Sequence, residues 1–137
     1  MKNQEIKLLT VKGNSEQRVH AYERITLFLE RLKPSNLVTK FDRNLAPHEF
    51  IFLVEKTINE EFDYNASQQL YLTKNLWKNV VNCKNNTLHL LHKTYENLSD
   101  NSTLDDFKTV FLMNYMNEAD FISQTIEDLR KENLIVN

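Results

Sequence analysis

Three side chains in one stretch of the chain have the spacing of metal ligands. His89 and His92 are one helical turn apart, and Glu96 is one turn further. Imidazoles and a carboxylate on one helix face can hold zinc or iron. The set is incomplete, however. His89 shares its helix face with Asn82, Asn85 and Asn86, which reads as solvent, and His92 borders an apolar seam. Another helix would have to supply a further ligand, from His20 or His48. Helix-bundle di-iron sites need a Glu-x-x-His pair on each of two helices, and the sequence contains none. The expectation is ordinary surface and packing histidines, with no metal and no cofactor.

Nucleophiles are equally scarce. Cys83 is the only cysteine. It would need a base and a cation or helix N-terminus beside it to react. It falls between apolar neighbours in the middle of a helical pattern, where a small packing residue is expected. No serine lies in a Gly-x-Ser-x-Gly elbow, because Gly13 is the only glycine. The carboxylate pairs Glu60-Glu61 and Asp105-Asp106 are adjacent residues, which point to different sides of a helix and share no site. No catalytic residue is assigned.

The most distinctive segment runs from Ala21 to Pro34. Glu-Arg recurs there after seven residues, so Glu23 and Glu30 share one stripe and Arg24 and Arg31 share the next. Phe28 lies between the arginines, so the charges sit beside the apolar stripe rather than opposite it. One reading is a solvated flank with ion pairs of about 0.3–0.5 kcal/mol each. The other is a structural polar network reaching Asn65, Ser67, Gln68 or Gln69 on another helix, which would specify register more than it stabilises.

These residues must be positioned by helices. Asn14 with Gln17 has the form of a capping box, and Tyr22, Ile25, Phe28, Leu29 and Leu32 then repeat at helical spacing up to Pro34. This predicts a first helix over 15–33, preceded by an N-terminal arm over 1–13 that is either frayed or an extra helical turn. Leu37, Val38 and Phe41 lie in a connector. Pro47 suits a first turn, and Phe50, Ile51, Val54, Ile58 and Phe62 mark a second helix over 46–62. Asn65 with Gln68 offers another capping box. An uninterrupted third helix follows up to the cluster at 97–101, about 45 Å long, with a seam of Leu70, Trp77, Val81, Leu88, Leu91 and Tyr95. Ser102 is expected to cap a fourth helix burying Leu104, Phe107, Val110 or Phe111, and Tyr115. Asn117 with Asp120 is expected to cap a fifth, burying Phe121, Ile122, Ile126 and Leu129 and ending near Asn133.

Composition supports that outline. The 137 residues contain 1 Gly and 2 Pro, too few for the turns of a β-sandwich or the phosphate loops of Rossmann and P-loop folds. A net charge of −2 gives no electrostatic case for nucleic acid or an anionic membrane surface. The longest apolar run, Phe50 to Val54, is far short of the roughly 20 residues that span a bilayer. A lone cysteine fits a reducing compartment. Sequons at Asn65, Asn85, Asn97 and Asn101 follow from an Asn-rich composition.

Tyr22-Glu23-Arg24, then Leu27-Phe28-Leu29-Glu30-Arg31 before Pro34, then Asn65-x-Ser67-Gln68-Gln69-x-Tyr71 and Trp77, resembles an uncharacterised bacterial protein family over residues 18–95. Such members often carry an N-terminal membrane-spanning segment before the Tyr-Glu-Arg helix. Residues 1–13 depart from that pattern, since they are too short and too polar to span. The resemblance implies a juxtamembrane cytoplasmic domain and no catalytic residues.

The expected architecture is all-α: one domain over 14–137, a four- or five-helix antiparallel bundle with one long central helix. The expected function is a non-enzymatic interaction or scaffolding module in the cytoplasm, or at the cytoplasmic face of a membrane in anchored relatives. It is expected to form a homo-oligomer, with an unidentified protein partner and no nucleic acid. Leu27, Phe52 and Leu112 fall off the main stripes, and the tail Leu134-Ile135-Val136 is apolar, so self-association would cover them. Two other classes stay open. One is a metal-dependent bundle enzyme. The other is a nucleic-acid-binding regulator, suggested by the helix, turn, helix pattern from Thr103 onward but opposed by Glu127 and Asp128 on the would-be DNA side.

Overall fold

The computed structural model describes the backbone over residues 2–136 and the side chains over 15–135. It is all-helical, with no strand among the described residues. Six α-helices follow in order: α1 (Lys2–Leu32), α2 (Pro34–Leu37), α3 (Pro47–Asn65), α4 (Lys74–Glu96), α5 (Leu104–Met116) and α6 (Phe121–Val136). A 3-10 helix, Ala66–Tyr71, joins α3 to α4. The five longer helices supply most of the core, and the single turn of α2 adds Leu37. The shortage of glycine has one visible consequence. Phe41, in the α2–α3 connector, takes φ 67°, a region that is costly for a bulky side chain. Its ring stands edge-on to Phe50 at 6.4 Å, and that contact offsets part of the strain.

The α1 face is the expected one. Tyr22, Ile25, Phe28, Leu29 and Leu32 are all buried. They meet Phe50, Ile51, Val54 and Ile58 of α3, Phe107 and Phe111 of α5, and Ile122 and Leu129 of α6 in one continuous core. Three phenylalanines form its centre: Phe107 lies 6.1 Å from Phe50 and 5.9 Å from Phe111 between ring centroids. Cross-helix contacts give the directions. Arg24 meets Tyr64 while Arg31 meets Glu61, so α3 runs back along α1. Phe62 stacks on Trp77 while Glu55 meets His92, so α4 runs back along α3.

Several expectations are corrected. α1 runs without a break from Lys2 to Leu32, so the first helix does not begin at 15. The single rod expected over 66–96 is broken. Leu72 and Thr73 are extended, and Thr73 Oγ1 accepts a hydrogen bond from Leu76 N at 3.3 Å, starting a new helix. The longest helix is therefore α1, with 31 residues against 23 in α4. The α4 seam is also turned about its axis. Leu76, Val80, Cys83, Thr87, Leu90, Leu91 and Thr94 are buried, whereas Leu70 is 80% and Tyr95 43% exposed. Seeking the largest apolar residues misplaced the seam, because the true buried row uses Cys and Thr in place of larger side chains. Thr94 satisfies its hydroxyl by accepting from Asn114 Nδ2 at 3.1 Å.

Three helix ends also shift. Thr103, not Ser102, caps α5, in a reciprocal box with Asp106. Asn117 ends α5, and Asp120 takes over the cap of α6 by accepting from Ser123 N at 3.1 Å. α6 continues past Asn133 to Val136.

Candidate interaction site

The Glu-Arg segment forms an outward face of α1 between two clefts. Burial of Phe28 and Leu29 on one side of the helix turns Leu27 outward, where it is 50% exposed. A cleft of about 280 Å³ separates α1 from the end of α3, lined by Arg24, Leu27, Arg31, Glu61, Tyr64 and Asn65 among others. A second, more apolar cleft of about 520 Å³ separates α1 from α6, lined by Tyr22, Glu23, Leu27, Glu30, Ile126 and Arg130 among others. Leu27 is the ridge common to both. The arginines line the α3 side and the glutamates the α6 side.

Each charge has a local contact. The Arg24 guanidinium lies 5.0 Å over the Tyr64 ring. Arg31 Nη1 is 3.6 Å from Glu61 Oε1. Glu30 pairs with Lys33 at 3.1 Å, and Asn36 Nδ2 donates to the Glu30 carbonyl at 2.6 Å. Glu23 lies 4.0 Å from His20. All of these pairs are substantially exposed and contribute little stability. Of the polar residues considered as partners, Asn65 lines the same cleft as Arg24 and Arg31, with its side chain donating to the Glu61 carbonyl at 2.8 Å. Gln69 donates to the Ala66 carbonyl within its own 3-10 helix at 3.0 Å, and Gln68 is half-buried there. The partners that α1 does meet, Glu61 and Tyr64, were missed in the sequence. Their signal was their place one turn apart at the end of the α3 pattern.

The histidines do not converge. His89 is exposed. His92 Nε2 lies 3.1 Å from Glu55 Oε2 of α3, and His20 pairs with Glu23 on α1. His48 lines a separate cleft of about 460 Å³ with Tyr95, Glu96 and Ser99. Among the described residues, no three His, Cys, Asp or Glu side chains come together as a metal site. Cys83 is buried, with Sγ 3.2 Å from Thr125 Oγ1, and burial pushes its thiol pKa up.

Two phenols and one carboxyl have shifted acidities. Tyr22 and Tyr115 are pushed well above the ordinary tyrosine value, by burial first and then by hydrogen bonds to Glu132 and Asp120 respectively. Burial pushes Asp120 up, but hydrogen bonds from Tyr115 and Ser123 outweigh it and hold the carboxyl below its ordinary value. These groups join α1 to α6 and α5 to α6.

Among the described residues, no helix is long and apolar enough to cross a membrane. A family of unknown function (DUF7935) matches residues 1–134, and the chain belongs to that family. No curated protein and no solved structure is significantly similar to it.

Proposed function

We propose that this DUF7935 chain is a non-enzymatic helical interaction module of the cytoplasm that works as a self-associating bundle. The observation that carries the reading is the amount of large apolar surface left outside the core. Leu27, Phe52, Leu70, Met113, Met116, Leu134 and Ile135 are each at least half exposed. They lie on α1, α3, the 3-10 helix, α5 and the end of α6, and pairing with a second copy would take some of this surface out of water. Leu27 and Phe52 were singled out by sequence pattern, and both lie outward. Leu112, the third, is half-buried.

A closed dimer would cover part of such surface with one self-complementary patch. Light scattering coupled to size exclusion tests this directly. The expected result is a mass of at least twice the chain's 16.3 kDa at micromolar concentration. A mass of one chain at every concentration up to about 1 mM, where even a weak dimer would show, rejects it.

A further inference from the structure

We propose that the outward face of α1 is the self-association surface and that it pairs with the same face of a second copy in parallel. This rests on the self-associating reading above and names the surface and its geometry. At about 100° per residue, Glu23 and Glu30 lie about 40–60° to one side of Leu27, and Arg24 and Arg31 lie about the same angle to the other. The clefts agree with that placement: Glu23 and Glu30 line the α6 side with Leu27, with Arg130 of α6 across the cleft, and Arg24 and Arg31 line the α3 side with Leu27, with Glu60 and Glu61 of α3 across it. The outward face of α1 is therefore Leu27 with an acidic row of α1 along one edge and a basic row of α1 along the other.

Such a face is complementary to itself in one orientation only. Two copies related by a two-fold axis parallel to α1 place Leu27 against Leu27. The acidic row of each copy then faces the basic row of the other. Glu23 comes level with Arg24 of the second copy, and Glu30 with Arg31, giving four ion pairs around the apolar contact. An antiparallel pair would set acid against acid and base against base, which is repulsive. The charged groups are accessible enough to do this. Side-chain exposure is 68% for Glu23, 44% for Glu30 and 53% for Arg31. Their present contacts all lie within the chain: His20 near the ridge line, and Lys33 and Glu61 to either side of it. Tyr64, 77% exposed beside Arg24, adds an aromatic flank of the kind enriched at interfaces. The second copy is the occupant that the charges select, because both rows are matched at once by the same sequence.

Charge exchange tests the surface separately from self-association. The variant E23R/E30R makes both α1 rows basic, and R24E/R31E makes both acidic. The expected outcome is a dimeric wild type, each variant monomeric by itself, and a 1:1 heterodimer when the two are mixed. Dimerisation of the wild type should also weaken about tenfold in 1 M salt, as screening removes the ion pairs. A helical circular dichroism spectrum establishes that each variant is folded. A dimeric wild type whose folded variants stay dimeric, or fail to form the heterodimer, overturns this surface and leaves self-association standing. A wild type that is monomeric throughout removes both. Orientation is read from H20C, a substitution at an exposed position near the ridge line. Parallel pairing brings the two new thiols together and yields a disulfide-linked dimer under mild oxidation. Absence of that crosslink in a dimeric protein overturns the parallel arrangement.

Discussion

Tyr22, on α1, donates its phenolic hydrogen to Glu132 Oε2, on α6, at 2.9 Å across 110 residues of sequence. The bond ties the longest helix to the last one. The same carboxylate oxygen lies 3.4 Å from the backbone N of Thr73, at the head of α4, so one residue gathers three elements. Replacing Tyr22 with Phe keeps the buried ring and removes only the bond. The expected cost is about 1–2 kcal/mol, because the acceptor is charged and half-buried. Urea unfolding measures it. A loss below about 0.3 kcal/mol would mean that Glu132 finds water as good a partner.

The two shifted phenols set the alkaline limit of stability. Burial and a carboxylate neighbour raise the pKa values of Tyr22 and Tyr115 in the folded chain, while unfolded tyrosine ionises at about pH 10. The neutral phenols therefore contribute fully below that pH. Above it the unfolded chain gives up its protons first, and stability falls as pH rises. Unfolding midpoints should begin to fall gently above about pH 8.5, where the unfolded chain's Cys83 ionises before the buried thiol, and then drop more steeply from about pH 10 towards pH 12 as the phenols take over. The double variant Y22F/Y115F should begin less stable and fall less steeply. An unchanged slope would show that other groups govern the alkaline transition.

The helical class and the buried faces of α1, α3 and α5 were legible because large apolar residues repeat there with a single period. Pro34 and Pro47 marked their boundaries by chemistry that no neighbour can override. The break before α4 was not legible in the same way. No glycine or proline lies between Asn65 and Lys74, and Asn65 with Gln68 imitated a start signal eight residues too early. Thr73 is the real signal, a capping hydroxyl three residues before Leu76, but threonine is common enough for that pattern to pass unnoticed. The candidate site divides similarly. Periodicity put the Glu and Arg rows on one helix, while their partners Glu61 and Tyr64 depend on how α3 crosses back, which is a property of tertiary packing.

Thr87 is the cost of that polar α4 seam. It is buried at 1% exposure, and its hydroxyl has no hydrogen-bond partner among the described residues. A buried unsatisfied hydroxyl costs about 1–3 kcal/mol. Valine has nearly the same shape without that group, so Thr87→Val should raise stability by about 1 kcal/mol. Thermal unfolding should show the midpoint moving up by several degrees. A fall would show that the hydroxyl is satisfied after all and holds α4 in place.

Cys83 offers a reading of how tightly α4 and α6 are joined. Its sulfur is in hydrogen-bond range of the Thr125 hydroxyl and lies 3.7 Å from the Phe121 carbonyl oxygen. The thiol is thus enclosed between the two helices. Burial also pushes its pKa up, so little thiolate exists near neutral pH, and the thiolate is the reactive form. A disulfide reagent can reach it only when α6 separates from α4 or the whole chain opens. Labelling of the native protein at pH 8 should be slower than labelling in urea by about a hundredfold or more, since opening is a minor population. The Tyr22→Phe change should speed it, because Glu132 anchors the same helix near its other end. A native thiol that reacts as fast as the unfolded one would show that α6 is docked only loosely, and that the core built on Ile122 and Leu129 opens readily at this seam.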